Sequence, residues 1–284
     1  MQEGKKERRR AFVLAFVITF SVMTVLVSIA VMTVQRSYIK GNSSETQVYI
    51  PRSEDAITVL VCGTDEQGKG TVFAIVGFYP VEGVMPVTVL PPETLVRKKD
   101  MTDTLSEVFF SGGGSMARMS VESTANIRID RWVRLDREEF VDLMTALGPV
   151  DYEMPQQIEA EGIVFSKGVQ QLDGGRAAAI LLHKEAGETP IQRSTRRAQV
   201  ISGIMNDRFA ALGGSESHFK QARSIAQMDI SLTDFLQRKR ALDFVGKLAK
   251  RPAYPVEVQG KLNAAGNTFT LSKETVELLK ETYS

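Results

Sequence analysis

Hydrophobic and polar positions divide the chain into three regimes. Residues 11–34 (AFVLAFVITFSVMTVLVSIAVMTV) carry no charge. At 1.5 Å per residue that run would reach about 36 Å as a helix, against a hydrocarbon core of about 30 Å, so it predicts a transmembrane helix. Residues 35–55 are polar and punctuated by Gly, Asn, Ser and Pro, the composition of a linker. From residue 56 onward, short apolar runs alternate with amphipathic ones. Ile57–Cys62, Thr71–Tyr79 and Val87–Leu90 are β-branched and almost continuously apolar, as in strands covered on both faces.

Helical spacing follows. Leu105, Val108 and Phe109 form an i, i+3, i+4 stripe within Met101–Ser111. Gly112-Gly113-Gly114 breaks it before a second helix over Ser115–Ala125. Arg131–Leu135 reads as a strand. Asp136 with Glu139 makes a capping box for a helix ending at Leu147, whose buried face is Phe140, Leu143, Met144 and Leu147. Further helices are predicted over Gly174–His183, Ile191–Leu212, Ser217–Gln227, Leu232–Lys250 and Lys273–Thr282. Val169–Leu172 leads into the helix at Gly174–His183, and further strands are predicted over Val256–Gln259 and Thr268–Leu271. The alternation predicts one α/β domain over residues 56–284, a central mixed sheet flanked by helices on both faces.

Charge places the pieces. Residues 1–10 form a basic segment (Lys5, Lys6, Arg8, Arg9, Arg10) ahead of the apolar run. By the positive-inside rule the N-terminus is cytoplasmic and the main domain extracytoplasmic, giving a single-pass protein of the cell membrane. A cleaved signal peptide would have a shorter apolar region and a small-residue site after it, whereas this run ends in Gln35-Arg36. Over the whole chain 35 Lys+Arg face 34 Asp+Glu, a net +1 that argues against nucleic-acid binding. A lone cysteine, Cys62, excludes an internal disulfide, and its apolar surroundings mark it as a buried small hydrophobe. Two histidines leave little for a His-based metal centre.

Candidate chemistry centres on Arg193-Ser194-Thr195-Arg196-Arg197. On a helix Arg193, Arg196 and Arg197 share a face, with His183 and Lys184 just upstream. Guanidiniums suit bidentate binding of phosphate oxygens; the alternative is a solvated charged face answered by Glu185 and Glu188. Asp65 follows the first strand, where open α/β sheets place ligands. It could hold Mg²⁺ or simply close an Asx-turn. Glu93, beyond the third strand, could join it. Gly68-Lys69-Gly70-Thr71 is a flexible loop that could cradle phosphate without P-loop spacing.

Taken in order, several segments resemble the LytR-CpsA-Psr family of envelope proteins. ITVLVCGTD (57–65) is similar to the family's first strand with its Gly-x-Asp, and VLPPET (89–94) to its Ile-Pro-Arg-Asp-Thr. IRIDRWVRLDREEFVDLMTALGPV (127–150) resembles the Val-Asp…Leu-Val-Asp-x-Leu-Gly-Gly-Val stretch. Residues 172–184 and 193–201 resemble the two Arg-bearing segments. The match is best over residues 56–212. The resemblance implies a Mg-assisted phosphotransferase that moves a glycopolymer from a polyprenyl pyrophosphate carrier to peptidoglycan, with the lipid tail in an apolar cavity. On that basis Arg193 and Arg196 are the catalytic arginines; Lys184, Arg193, Arg197 and Lys69 bind phosphate; Asp65 and Glu93 hold the metal. Several family positions are changed here. The loop Arg and second Asp fall on Gly68 and Gly70, a further Arg on Pro92, a Lys on Thr104, and an Arg-x-Arg pair on Leu182 and Lys184. A catalytically impaired relative that binds a lipid, a wall polymer or a protein is therefore the second reading.

Overall fold

The computed structural model describes residues 49–98, 101–208 and 216–284. The predicted cytoplasmic segment, the transmembrane helix and most of the linker lie outside them. No helix among the described residues is long and apolar enough to cross a membrane.

Strands β1 (Ile57–Thr64), β2 (Gly70–Phe78) and β3 (Met85–Leu90) form an antiparallel meander. A hairpin, β4 (Leu95–Lys98) and β5 (Met101–Thr104), leads into helix α1 (Leu105–Ala125). Strand β6 (Arg131–Leu135) returns to lie parallel to β1, in the register Val59 to Arg131. Helix α2 (Arg137–Leu147) follows, capped by Asp136 and Glu139 in the expected reciprocal box. Four short strands come next: β7 (Val150–Met154), β8 (Ile158–Ala160), β9 (Ile163–Phe165) and β10 (Gly168–Leu172). They pair as β7 with β10 and β8 with β9. Helices α3 (Gly174–Leu182), α4 (Pro190–Arg208) and α5 (Glu216–Ile225) precede strand β11 (Gln227–Met228), helix α6 (Leu232–Leu248) and strand β12 (Ala253–Pro255). The chain closes with the hairpin β13 (Gly260–Leu262) and β14 (Phe269–Leu271) and helix α7 (Lys273–Tyr283). The central sheet has the order β11-β6-β1-β2-β3-β12, with parallel and antiparallel pairs.

The continuous apolar strands resolve by the two-residue pleat into two cores. Val59, Val61, Val72, Ala74, Val76 and Val87 face one side, packed against α2 through α6. Leu60, Cys62, Phe73, Ile75 and Leu90 face the other, under α1 and α7. Cys62 is fully buried, and burial pushes its thiol pKa up. From the last turn of α7, the Tyr283 hydroxyl bonds the carbonyl of Ile75 (3.1 Å) and Oγ1 of Thr88 (2.8 Å), fastening that helix across β2 and β3.

Three differences from the sequence pattern have physical causes. The glycine triplet does not end a helix: α1 runs through it with a kink at Gly113 (φ 65°, ψ −165°). The triplet is needed because Gly113 sits where L-residues are strained. A Cβ on the next residue, Gly114, would meet the Trp132 ring at 2.3 Å. Trp132 is itself only half-buried, and its indole occupies the space that Gly114 leaves. The stretch 150–165 holds short strands whose alternation (BeBeB in β7) is too brief to stand out in sequence. Val256–Gln259 is not a strand; the edge strand β12 lies just ahead of it, because Asn206 of α4 bonds both the N–H and the carbonyl of Ala253 at 2.8 Å.

Replacing Gly113 or Gly114 by Ala is expected to lower stability by about 1–3 kcal/mol each. At Gly113 the cause is backbone strain, at Gly114 overpacking against Trp132. Denaturant unfolding with near-ultraviolet circular dichroism checks this, since only Gly114→Ala should alter the tryptophan signal.

Candidate functional site

The segment after β3 is clamped from several sides. Thr94 closes a turn on the Pro91 carbonyl (2.6 Å). The first amides of α1 bond carbonyls of that segment, Leu105 N–H to Thr94 (2.8 Å) and Ser106 N–H to Pro92 (3.1 Å), so helix-end donors are satisfied by the loop. The Ser106 hydroxyl bonds the Gly70 carbonyl at the start of β2. From the far end of the sequence, Phe269 N–H donates to the Glu93 carbonyl (2.8 Å), which draws the β13–β14 hairpin alongside.

These ties frame a cavity of about 490 Å³ lined by Lys69, Thr71, Pro92, Glu93, Thr104, Ser106, Glu107, Arg193, Arg197 and Asn267. Helix α4 supplies its floor. Ala198, Ile201 and Met205 of α4 sit in the core, and Arg193 and Arg197, one helical turn apart, line the cavity. Arg193 is 9% exposed and pairs with Glu93 Oε1 at 3.2 Å. Arg197 is 6% exposed; its Nε bonds the Leu181 carbonyl (3.1 Å) and its Nη1 the Thr71 carbonyl (3.2 Å). Burial, then the neighbouring Arg193 and Arg196 charges, push the Arg197 pKa down to about 9, so it is still cationic at neutral pH. Lys69 pairs with Glu107 across the mouth. Among the described residues Glu93 Oε2 is buried with no hydrogen-bond partner.

Four of the residues singled out in the sequence, Lys69, Glu93, Arg193 and Arg197, therefore meet in one cavity. The other three stand elsewhere. Arg196 points the opposite way: Nε and Nη2 bond Glu188 (2.8 and 3.1 Å) and Nη1 the Ile180 carbonyl (2.9 Å), with a further bond to the His183 carbonyl. It fixes the connection between α3 and α4, one of the partners the charged-face reading named. Lys184 is exposed and does not line the cavity. Asp65 forms the Asx-turn: its Oδ1 accepts from Gln67 N–H (3.0 Å) and Lys69 N–H (2.7 Å), and the β1–β2 connection closes around it. What Asp65 contributes is the placement of Lys69.

The two carboxylates expected to hold magnesium do not line one cavity. Asp65 Oδ1 is committed to two backbone amides, and Glu93 Oε1 faces a guanidinium. Among the described residues no group of three or more His, Cys, Asp or Glu side chains could hold a metal ion. The cavity's positive charge comes from Lys69, Arg193 and Arg197. Sequence reasoning named Thr104 only as a changed family position and missed Ser106, Glu107 and Asn267. Glu107 was visible only as a polar residue on an apolar stripe, and nothing local marks Asn267, which is brought in by the hairpin.

The pairings separate two kinds of arginine. Arg196→Met is expected to cost about 3 kcal/mol in denaturant unfolding, because it leaves Glu188 (side chain 4% exposed) without its cation. It should leave pyrophosphate affinity, measured by calorimetry, within about twofold. Arg193→Ala should do the reverse, lowering that affinity about tenfold or more with a smaller loss of stability.

Comparison with known proteins agrees with this architecture. The model of the LytR_cpsA_psr family matches residues 21–283. The chain is 25% identical over 171 residues to the polyisoprenyl-teichoic acid–peptidoglycan teichoic acid transferase TagU of Bacillus anthracis, a match covering 58% of this chain and 56% of that protein. It thus spans little more than half the length of that relative. The fold is shared with crystalline TagU of B. subtilis (TM-score 0.61, 19% identity, 80% of this chain and 95% of that one). It is also shared with TagT bound to LIIa-WTA (TM-score 0.65, 18% identity, 89% and 96%). With the family model covering residues 21–283, both cores and the residues lining the cavity included, the chain belongs to the LytR_cpsA_psr family.

Proposed function

We propose that this chain is a membrane-tethered envelope phosphotransferase. Its extracytoplasmic domain moves a glycopolymer from a polyprenyl pyrophosphate carrier to peptidoglycan. The observation that carries the reading is the convergence of Arg193, Arg197 and Lys69 on one cavity in a domain of this family. The names of the relatives supply the substrate class, and the uncharged run 11–34 behind a basic N-terminus supports the tether.

The chemistry asked of the cavity is electrostatic. An acceptor hydroxyl gives up its proton to the medium as its oxygen forms a bond to the phosphorus next to the glycopolymer. The bond from that phosphorus to the bridging oxygen breaks, and polyprenyl phosphate leaves with the negative charge. Little covalent work falls to the protein; positioned cations neutralise charge on the transferring group. Arg193 presents its guanidinium at the opening, Arg197 is locked by two carbonyls beneath it, and Lys69 closes the rim. A phosphate entering here exchanges with Glu93 on Arg193 and with Glu107 on Lys69.

Those two internal pairs also favour the second reading, a relative that binds the carrier lipid without turning it over. Incubating the full chain in detergent with a polyprenyl-pyrophosphate-linked glycopolymer and peptidoglycan separates the two. Release of polyprenyl phosphate, reduced about 10- to 100-fold by Arg193→Ala, is the expected result. Binding without release would establish the non-catalytic role, and neither would remove the carrier reading.

A further inference from the structure

Helix α6 crosses the end of the sheet opposite the cavity. Asp234 in its first turn pairs with Arg131 at the start of β6 (2.6 Å). One turn on, Arg238 bonds the Ala56 carbonyl just ahead of β1, from Nε (3.3 Å) and Nη2 (3.2 Å). After the helix, the Pro252 carbonyl accepts from Met85 N–H (2.8 Å), where β3 begins. Phe235, Ala241, Leu242 and Val245 form the buried side of α6. Its outer side is one stripe at helical spacing, Leu236, Arg240, Lys247 and Leu248, continued past the helix by Lys250 and Arg251. All six are exposed, Leu236 by 48% and Leu248 by 67%. No acidic side chain of α6 shares that exposure, since Asp234 is buried and Asp243 half-buried. Among the described residues none of the four cations is in an ion pair.

The chain arrives at this same helix. The Tyr49 ring lies edge-on to Phe244 of α6 (5.9 Å between centroids), and its hydroxyl is tied to Asp55. Ile50 beside it is 74% exposed. Residues 35–48 connect Tyr49 to the uncharged run 11–34. Even at full extension they reach about 50 Å, so α6 stays within that distance of whatever holds the uncharged run. We propose that the outer side of α6 docks on the anionic lipid headgroups of the membrane. The proposal rests on the tether in the reading above and adds the orientation in which the tethered domain stands.

Charge selects the partner. Four cations around two leucines match a surface that is anionic and has apolar depth behind it, and each Lys or Arg near such a surface favours binding about fivefold. The acids at this end of the sheet, Glu54 and Glu82, line a separate hollow with Arg128 and Arg238. The arginine cavity lies beyond the other ends of the strands, at the start of β2 and after β3. The eight residues of β1 set the two ends about 26 Å apart, so a docked α6 turns the mouth away from the bilayer and toward the acceptor.

The test reads the outer side of α6 in the full chain reconstituted in vesicles. A nitroxide on Gln237→Cys, an exposed position of that side, reports it, and the burial of Cys62 keeps the labelling selective. In phosphatidylcholine mixed with phosphatidylglycerol the label should lose accessibility to a water-soluble nickel complex. In phosphatidylcholine alone, or in about 0.5 M salt, it should regain it. Arg240→Gln combined with Lys247→Gln should move the docked-to-undocked ratio about 25-fold toward undocked, at about fivefold per cation, with thermal unfolding unchanged. A label equally accessible in both lipids, or one still covered in the double variant, would overturn the docking face; flotation of the chain with both kinds of vesicle would leave the tether standing. A chain that floats only with phosphatidylglycerol vesicles would remove the tether and keep the face. A chain that floats with neither would remove both.

Discussion

A guanidinium inside a protein is tolerable only if carbonyls or carboxylates surround it, and Arg197 shows how far that requirement reaches. Its two bonds go to Leu181 at the end of α3 and Thr71 at the start of β2, elements far apart in sequence. Satisfying this one cation fixes where α4 lies against the sheet. Arg193, one turn earlier on the same helix, is then necessarily placed beside the segment after β3. The cavity follows from where a buried charge finds its acceptors.

The same logic distinguishes neighbours that look alike in sequence. Arg193, Arg196 and Arg197 share a helix, yet Arg196 turns to Glu188 and the α3 C-terminus while the other two turn to the opening. Arg196 holds the α3–α4 connection away from the opening. Asp65 acts on the cavity through the backbone, shaping the turn that presents Lys69.

The sheet was legible because its strands are short, apolar on both faces and bounded by Pro and Gly, so Ile57–Cys62, Thr71–Tyr79 and Val87–Leu90 lie within or overlap β1, β2 and β3. Helix α2 was legible through Asp136 and Glu139, since capping is a local matter. The Arg cluster was legible as cationic, and family resemblance gave it a role. What could not be read was direction and partnership. Nothing in the spacing of Arg193, Arg196 and Arg197 says which one meets Glu188. Asn267 reaches the cavity only because a hairpin bonds Glu93 through the backbone, an interaction that carries no side-chain signature. The glycine triplet misled for a related reason: its meaning lies in Trp132, a residue on another element.

The carboxylates of Glu93 and Glu107 almost cancel the cations around them, leaving the mouth close to neutral. Such a mouth casts little field into solution and does not gather anions from a distance, as strongly polarised clefts do. It discriminates by exchange at close range, after arrival. A soluble enzyme would lose capture rate by that arrangement. A protein held at the same surface as its ligand would not, because encounter is then governed by lateral diffusion, and a muted field spares it the free phosphates of the surrounding medium.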